Sequence, residues 1–538
     1  MRVAIVTGRR AAQLLREYVE RLRRSGVDAE LHVIPVEVAA LIPKHVLAEH
    51  LKALRGSVDV AIVPGTLEYD MKDLEESLGI RIVRGPRDPS VFAVAATLGA
   101  EAFWKLVETG EFSLEPLLDI LLEELRQQHA KAKGMDICGV KVPLRPPPLA
   151  VISEVYVRKG AEADSIAAKV ADALSRGADI VVLGFGSEWS ASEIAGMVRA
   201  VHRVVEVPLG LDAASDKAHA ELVKSGHVCL SLTGHAANKL VEELPSGAAV
   251  VIAPVGPGYH VPSSVDERVK LLEALYSLAT RRGLKVVVDP IVDPPGSRLM
   301  PTSVSAYVEA ARVFPDAPLL AGIANVYELI DADSHGQIPV LVQLFAEAGA
   351  SMLLVTEESG KAAKAVTESA IAATMTSISL LRSMPPKDLG VDLIYVKQKH
   401  RVPSPAKTPR AVQEYDTRSL AAWNVFAYDE EGSHMLWVEE DGSVVDLYIG
   451  RKGTILLKGR SAEEIYKSIA YLRLASRPEH YMYIGYELCK AETASILGRN
   501  YVQDSPLIVP PHYRCKVYSP RLGKVIQLSR EIKKKDQG

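Results

Sequence analysis

The sequence has little of what marks a secreted, zinc-binding or membrane protein. Only four cysteines occur in 538 residues, and none of their spacings matches a CxxC pair or a zinc site. We therefore expect reduced thiols in a cytoplasmic protein. No apolar run approaches the roughly 18 residues that span a membrane, and the segment after Met1 is typical of a strand, not of a signal peptide. These absences predict a cytoplasmic chain without a membrane partner.

A surplus of positive charge is missing, and asparagine is scarce. The formal net charge is -4 at pH 7, whereas a protein that binds nucleic acid non-specifically usually carries a basic surplus. We therefore expect no nucleic-acid partner. Asparagine occurs only at Asn238, Asn325, Asn424 and Asn500. Few amides beside many charged residues are typical of proteins that work hot. Genome composition produces part of the same bias, so a thermophilic source is a prediction from composition alone.

What the chain does contain is a series of short apolar runs, each followed by an amphipathic helical pattern. These runs lack the alternation of half-buried strands, which indicates a parallel sheet covered by helices on both faces. Eight strand–helix units in about 250 residues predict a closed (β/α)8 TIM barrel. The predicted strands are 149–156, 179–185, 207–213, 228–234, 248–255, 285–292, 318–325 and 351–358.

The segments on either side of the barrel, which we place at 149–384, predict two further domains. Residues 1–133 alternate strand and helix patterns, as an open, Rossmann-like α/β domain does. The proline-rich residues 134–148 are expected to be a stiff, extended linker. A second linker, 385–417, leads to residues 418–538, where strands separated by turn sequences precede two helices. The last domain is therefore expected to be α+β.

Several predicted barrel strands end in a polar or acidic residue. Barrel enzymes place their chemistry at the carboxyl ends of their strands. This coincidence is the main functional signal of the sequence. The residues are Glu154, Asp212, Ser231, Asp289, Asn325 and Glu357.

Five barrel segments and part of the C-terminal domain resemble a known family. Residues 177–184 (GADIVVLG), 207–212 (VPLGLD) and 286–290 (VVVDP) resemble the pterin-binding family. Residues 318–325 (PLLAGIAN) and 328–336 (ELIDADSHG) resemble its archaeal branch, and 480–504 resembles the accessory domain of that branch. The order of these segments along the chain carries a resemblance to archaeal dihydropteroate synthase-like proteins.

The resemblance implies a transferase. Such enzymes join the exocyclic methylene of a dihydropterin diphosphate to an arylamine nitrogen and release diphosphate. For methanopterin-type cofactor biosynthesis it implies a ribofuranosyl-aminobenzene phosphate as the arylamine, in place of para-aminobenzoate. It assigns pterin recognition to Asp212 and Asp289, since a carboxylate accepts from the adjacent amino and ring N–H donors. Capping of the following helix is the alternative role for these carboxylates.

The sequence departs from the family pattern at three strand ends. Leu230-Ser231 replaces an Asn-Asp pair, and Ala324-Asn325-Val326 replaces a basic Ser-Arg-Lys segment. The Arg-x-His pair of the eighth strand is missing near residues 355–357. We predict that Ser231 and Asn325 complete the pterin site and that Asp289 and Asn325 act in catalysis. The lost basic residues put ordinary dihydropteroate synthesis in doubt.

Other cations and an acidic group occur near the predicted opening of the barrel. Lys361 and Lys364 begin the eighth helix, where phosphate sites of barrels tend to lie. With His235 they are predicted to bind phosphate; the alternative is lysines on an exposed helix and a capping histidine. A cluster after the seventh strand is predicted to hold Mg²⁺, with helix capping as its alternative. Its members are Glu328, Asp331 and Asp333.

Two other functions stay open. One is a pterin-binding, methyltransferase-like barrel, for which a partner protein would carry the corrinoid because the chain has no Asp-x-His-x-x-Gly motif. The other is a non-catalytic pterin-binding scaffold, which the lost basic residues favour. A homodimer also stays open.

Overall fold

The computed structural model describes residues 1–232, 237–256, 260–394, 429–439, 441–498, 501–504 and 516–527. These residues fall into two compact units. The first runs from Met1 to Leu393 and includes the hairpin at 516–527, and the second holds the described residues from 429 to 504. Within these ranges, no helix combines the length and apolar character needed to cross a bilayer.

The first unit begins with an open α/β sheet. Its strands, β1 (Arg2–Thr7), β2 (Asp28–Val33), β3 (Val60–Val63) and β4 (Arg81–Arg84), are all parallel, in the order β2-β1-β3-β4. Both faces of the sheet are apolar and covered, as parallel strands require. The helices are α1 (Ala12–Arg24), α2 (Lys44–Ala53), α3 (Lys72–Leu78), α4 (Ser90–Leu98), α5 (Ala100–Thr109) and α6 (Glu115–Lys131), with a 3₁₀ turn at Ala39–Leu41.

The predicted linker contains a β-hairpin. Strands β5 (Gly134–Ile137) and β6 (Val140–Pro143) pair in antiparallel register. Their apolar side chains Ile137, Val140 and Val142 are buried in the same cluster as the interior of the barrel. The strands are extended and non-helical, as predicted, but they fold back on each other instead of running as one linker, because their alternate apolar side chains cover the amino-terminal end of the barrel.

A disulfide joins this hairpin to the barrel. Cys138, at the turn between β5 and β6, is bonded to Cys229 across 91 residues of sequence. The expectation that all four cysteines are reduced was wrong for this pair. Sequence spacing gave no signal, because only the folded barrel brings the two residues together. Cys489 is free and exposed, and Cys515 lies outside the described residues.

The barrel predicted from the sequence is confirmed. Its sheet has eight parallel strands in the order β12-β11-β10-β9-β8-β7-β14-β13. The ring closes between β12 and β13 through a parallel bridge from Val288 to Leu319. The strands are β7 (Ala150–Val157), β8 (Ile180–Phe185), β9 (Leu209–Asp212), β10 (Val228–Leu232), β11 (Ala249–Ile252), β12 (Lys285–Val288), β13 (Leu320–Ala321) and β14 (Met352–Thr356).

Helices surround these strands. The seventh strand is much shorter than the predicted 318–325, because the chain turns directly after Ala321 and Asn325 falls in a short helix. The helices are α7 (Ala163–Ser175), α8 (Ala191–Val205), α9 (Asp216–Lys224), α10 (Asn238–Glu243), α11 (Val265–Arg281), α12 (Met300–Val313), α13 (Ala324–Tyr327), α14 (Ser334–Glu347) and α15 (Ala365–Arg382), with a 3₁₀ turn at Gly360–Ala362.

A C-terminal hairpin also belongs to the first unit. Strands β18 (Lys516–Ser519) and β19 (Lys524–Gln527) pair in antiparallel register. Ser519 Oγ donates to the buried carboxylate of Asp179 at 2.6 Å, and Tyr518 Oη lies 2.6 Å from His129 Nδ1. These contacts explain why residues 516–527 group with the barrel, whereas the sequence placed them in a domain at 418–538.

The second unit is α+β. Three antiparallel strands, β15 (Gly432–Val438), β16 (Val444–Gly450) and β17 (Gly453–Gly459), form its sheet. Helices α16 (Ala462–Leu472) and α17 (Pro478–Leu497) share an apolar core with one face of that sheet. A buried pair at 2.8 Å, His434 Nδ1 and Asp446 Oδ2, lies on the same face. The strand predicted at 424–428 lies outside the described residues.

Candidate active site

Three carboxylates face the interior at the carboxyl end of the barrel. Alternate strand residues point inward, and Ile152, Val182 and Val287 belong to the buried interior cluster. Glu154 and Asp289 each lie two residues further along the chain and therefore point inward as well. Asp212 pairs with Gly184, two residues beyond Val182, so its side chain is on the inward face too. The strand ends therefore gather acidic groups over one opening.

Glu154 reaches across Gly184 toward Asp212. A Cβ atom placed on Gly184 would lie 2.1 Å from Glu154 Oε1, so only glycine leaves room for this carboxyl group. Burial, followed by the charges of Asp212 and Glu358, raises the pKa of Glu154 to about 7. Within the described residues Glu154 has no hydrogen-bond partner and no ion pair. It is poised between its two protonation states at neutral pH.

Asp289 is held by two donors on one oxygen. Its Oδ1 accepts the backbone N–H of Ile291 at 2.8 Å and lies 2.8 Å from Tyr307 Oη. Burial raises the pKa of Asp289 to about 6, although these hydrogen bonds and Arg268 oppose the rise. Tyr307 Oη also lies 2.6 Å from the carbonyl oxygen of Leu320. The single Tyr307 hydroxyl proton is therefore shared between Asp289 Oδ1 and this carbonyl oxygen.

The loop after Asp289 is strained and firmly anchored. Ile291 has a φ of 70°, which is rare for a β-branched residue. Such backbone strain persists only when the surroundings fix the conformation. Here the fully buried Arg268 donates to Asp293 Oδ1 at 2.8 Å and to the carbonyl oxygens of Pro290 and Ile291. These contacts aim the Ile291 N–H at Asp289.

Asn325 supports the same loop. Its Nδ2 donates to the carbonyl oxygen of Val292 at 3.0 Å, and the residue is exposed at the start of α13. The structure therefore brings Asn325 to the opening beside the Asp289 loop. Its amide nitrogen is engaged with the backbone.

Ser231 is not brought to the opening. It alternates along β10 with Leu230 and Leu232, which belong to the interior cluster, so its side chain faces the surrounding helices. The residue is fully buried, and its Oγ has no hydrogen-bond partner among the described residues. The predicted contact with the pterin does not fit this orientation, because position 231 is one residue out of phase with the inward face.

Asp212 does not cap the following helix. The N-cap of α9 is Ser215, whose side chain accepts the backbone N–H of Ala218 at 3.3 Å. Asp212 instead ends β9 with its side chain beside the opening. The alternative role that the sequence left open for Asp212 therefore does not apply.

The three residues predicted to hold Mg²⁺ do not converge. The Glu328 carboxylate accepts the Glu358 N–H at 3.1 Å and binds the Ser359 hydroxyl, while Asp331 is exposed and pairs with Lys361 at 2.8 Å. Asp333 stands at the N-cap of α14. In the part of the chain that the structure describes, no group of three His, Cys, Asp or Glu side chains is arranged to hold a metal ion. These residues do not fit the predicted metal.

The predicted phosphate-binding residues are only partly placed. Lys361 is in the 3₁₀ turn after β14, with its ammonium group on the exposed carboxylate of Asp331. Lys364 is the N-cap of α15 and has a positive φ of 78°. His235 lies outside the described residues. The two lysines thus stand at the start of the last barrel helix, as predicted, but Lys361 already has an anionic partner.

Three residues of the site carried little or no signal in the sequence. Glu154 was visible as a polar strand end, yet nothing in the sequence showed that Gly184 makes room for it. Tyr307 and Arg268 lie on helices with ordinary amphipathic patterns, and only the fold turns them toward the Asp289 loop. The remaining strand end, Glu357, forms two 2.7 Å hydrogen bonds with Arg176 and is structural.

Parts of this chain are similar to known proteins. The dihydropteroate synthase of Xanthomonas albilineans in complex with 7,8-dihydropteroate is 20% identical, with a TM-score of 0.33, over 45% of this chain and 95% of that one. The Yersinia pestis enzyme with a pterine-sulfa conjugate is 17% identical, with a TM-score of 0.33, over 44% and 94%. An uncharacterized protein of Methanocaldococcus jannaschii is 27% identical over 544 residues, covering 95% of this chain and 99% of that protein. Residues 428–504 match the family model described as PterinBD-DUF4346. The last two matches confirm the predicted resemblance to archaeal, pterin-linked proteins.

Proposed function

We propose that this protein is a dihydropteroate synthase-like transferase, which joins a dihydropterin-methyl diphosphate to an arylamine. The observation that carries the proposal is the convergence of Asp212 and Asp289 at the carboxyl end of the barrel, where barrel enzymes place their chemistry. The match of residues 428–504 to a pterin-linked family model supports the same substrate class.

The two aspartates suit a pterin ring. Its amino group and ring N–H present adjacent donors, which a carboxyl group accepts in pairs. Asp289 Oδ1 is already occupied by Ile291 and Tyr307. Its Oδ2, which has no hydrogen-bond partner among the described residues, is left to face a ligand. In this proposal Asp289 fixes the ring, and the ring delocalises the cation that remains when diphosphate departs.

The arylamine in this proposal carries a phosphate. Asn325-Val326 offers no cation to pair with the carboxylate of para-aminobenzoate. Lys361 and Lys364 stand further out, and the ion pair of Lys361 with exposed Asp331 is of the surface kind that contributes little. A phosphate can therefore compete for this lysine, as a ribofuranosyl-aminobenzene phosphate would.

One observation favours a second function. The opening gathers Glu154, Asp212 and Asp289, and Lys361 is already paired, so the described residues offer weak compensation for a leaving diphosphate. This favours pterin binding without diphosphate chemistry, either as a methyl-transfer barrel with a corrinoid partner or as a scaffold.

Diphosphate release separates these functions. The protein is incubated with the pterin diphosphate and, in turn, para-aminobenzoate or the phosphorylated arylamine. We expect diphosphate release to be at least about tenfold faster with the phosphorylated arylamine than with para-aminobenzoate, because one charge-assisted contact contributes about 1.5–3 kcal/mol. Lys361→Ala/Lys364→Ala should erase the preference and leave pterin affinity intact. If the protein binds pterin but releases no diphosphate in the presence of either arylamine, the second function is supported instead.

A further inference from the structure

The proposed reaction needs a group that removes a proton. The carbon–oxygen bond to diphosphate breaks and its electron pair leaves with the diphosphate oxygen; the arylamine nitrogen then gives its lone pair to the methylene carbon, which forms the C–N bond. The nitrogen is then positively charged and must lose one proton to a nearby base. Efficient bases have a pKa near the working pH and lie within hydrogen-bond reach of the proton.

Among the three inward carboxylates, Glu154 differs in its surroundings. Asp289 has one oxygen fixed by two neighbours, and its free oxygen is assigned to the ring above. Glu154 has no donor on either oxygen within the described ranges, and its Oε1 fills the space left by Gly184. It is therefore the carboxyl group with most freedom to exchange a proton.

The charged groups around Glu154 are mostly acidic. Asp212 faces it from β9, and Glu358 faces it from the segment after β14. The nearest cation on its own strand segment, Arg158, is exposed and pairs with Glu358 at 3.2 Å. No described cation therefore stabilises the ionised form of Glu154. Because a nearby cation would lower the pKa of the carboxyl group and make it a weaker base, this environment suits a group that takes up and releases a proton.

We propose that Glu154 is the general base that accepts the arylamine proton. The assignment rests on the proposed transfer reaction and adds a catalytic residue to it. Glu154 takes the proton from nitrogen as the C–N bond forms and returns it to water after product leaves. It must be ionised beforehand, so the rate should rise with pH through about 7, the value to which burial raises the pKa of Glu154, and then level off.

Two variants test this assignment without threatening the fold. Glu154→Gln keeps the shape and removes the basic oxygen. Gly184→Ala adds a methyl group where Oε1 now lies, so it displaces the flexible end of Glu154 while leaving the residue chemically intact. Glu273→Gln is the matched control, because it removes an exposed carboxylate on α11 that is not among the charged groups facing Glu154.

The measurements are pterin affinity by titration calorimetry and single-turnover diphosphate release from pH 5.5 to 9. For Glu154→Gln we expect pterin affinity within about threefold of the parent and, at pH 8, release about 100-fold slower and independent of pH near 7. Gly184→Ala should slow release by an intermediate factor, and Glu273→Gln should keep the rate and the pH profile of the parent. If the parent is active and Glu154→Gln shows the same rate and pH profile, the role of Glu154 is overturned and the transfer reaction stands. A parent that binds pterin but releases no diphosphate overturns the transfer reaction and, with it, the role of the base.

Discussion

Asp289 is the residue on which the pterin hypothesis depends most directly. In Asp289→Asn, Oδ1 can still accept from Ile291 and Tyr307, so the loop should keep its conformation. The substitution places an NH₂ group where Oδ2 would face the donors of the ring. We expect pterin affinity to fall about 10- to 150-fold, equivalent to about 1.5–3 kcal/mol, with little change in melting temperature. Titration calorimetry measures this loss, and unchanged affinity would remove Asp289 from the site.

Asp179 provides a separate test at the opposite end of the barrel. Its carboxylate accepts from Ser519 Oγ and from the backbone N–H groups of Val151 and Arg521. Burial nevertheless raises the pKa of Asp179 to about 6 from 3.8. The folded state therefore holds this proton more tightly than the unfolded chain does, and its contribution to stability is lost as pH rises from about 4 to about 6.

Asp179→Asn removes that titration. We expect the free energy of unfolding of the variant to decline less than that of the parent between pH 4 and pH 6. Urea unfolding at several pH values measures both slopes, and Asp164→Asn, an exposed carboxylate in the first turn of α7, is the control. Parallel pH profiles for parent and Asp179→Asn would contradict the assigned pKa.

The sequence predicted which polar residues stand at the strand ends, but it did not predict which way their side chains point. Asp212 and Asp289 were identified because each follows an apolar run at a predicted strand end and because the family resemblance assigns pterin recognition to both. Ser231 had the same signal, yet it lies one residue out of phase and faces the helices. A shift of one residue reverses the face of a strand, and the ends of a short buried strand are uncertain by more than that.

At the scale of elements, the conformation of the loop from Asp289 to Asp293 is the feature of the site that could least be predicted from the sequence. Its conformation depends on Arg268, which lies on α11, and on Ser303, which donates to Asp293 Oδ2 at 2.5 Å. These contacts are distant in sequence and involve residues whose local patterns indicate only amphipathic helices. The barrel strands were predictable because each is a local apolar run, whereas the loop is fixed by tertiary contacts.

Arg268 and Asp293 should behave as a coupled pair. The pair is buried, so Arg268→Met leaves a carboxylate without its partner, which costs about 3–5 kcal/mol of stability. Adding Asp293→Asn removes the unpaired charge and should recover part of that loss. Chemical unfolding of both single variants and the double variant gives the coupling free energy. Additive effects would show that the ion pair does not stabilise the loop.

At the scale of the whole molecule, the apolar pattern predicted the layers and their order, but it did not reveal how the amino-terminal end of the barrel is covered. The hairpin of β5 and β6 covers the amino-terminal end, and residues 516–527 contact the barrel from the far end of the chain. Proline-rich composition suggested a linker at 134–148, although alternation of Ile137, Val140 and Val142 with polar residues carried a strand signal. The strands of this hairpin therefore left a local signal, whereas its contacts with the barrel join residues distant in sequence and left none.

The disulfide between Cys138 and Cys229 should be a main contribution to the stability of this closed barrel. It joins the covering hairpin to β10 across 91 residues, and a cross-link over a long loop restricts the unfolded chain strongly. Cys138→Ser/Cys229→Ser should therefore lower the free energy of unfolding by about 2–4 kcal/mol. Cys489→Ser, which removes the free and exposed cysteine, is the matched control and should leave stability unchanged. Chemical unfolding with and without a reducing agent measures the effect: the reductant should destabilise the parent and the control but not the double variant. If the parent unfolds at the same denaturant concentration in both conditions, the bond does not stabilise the fold.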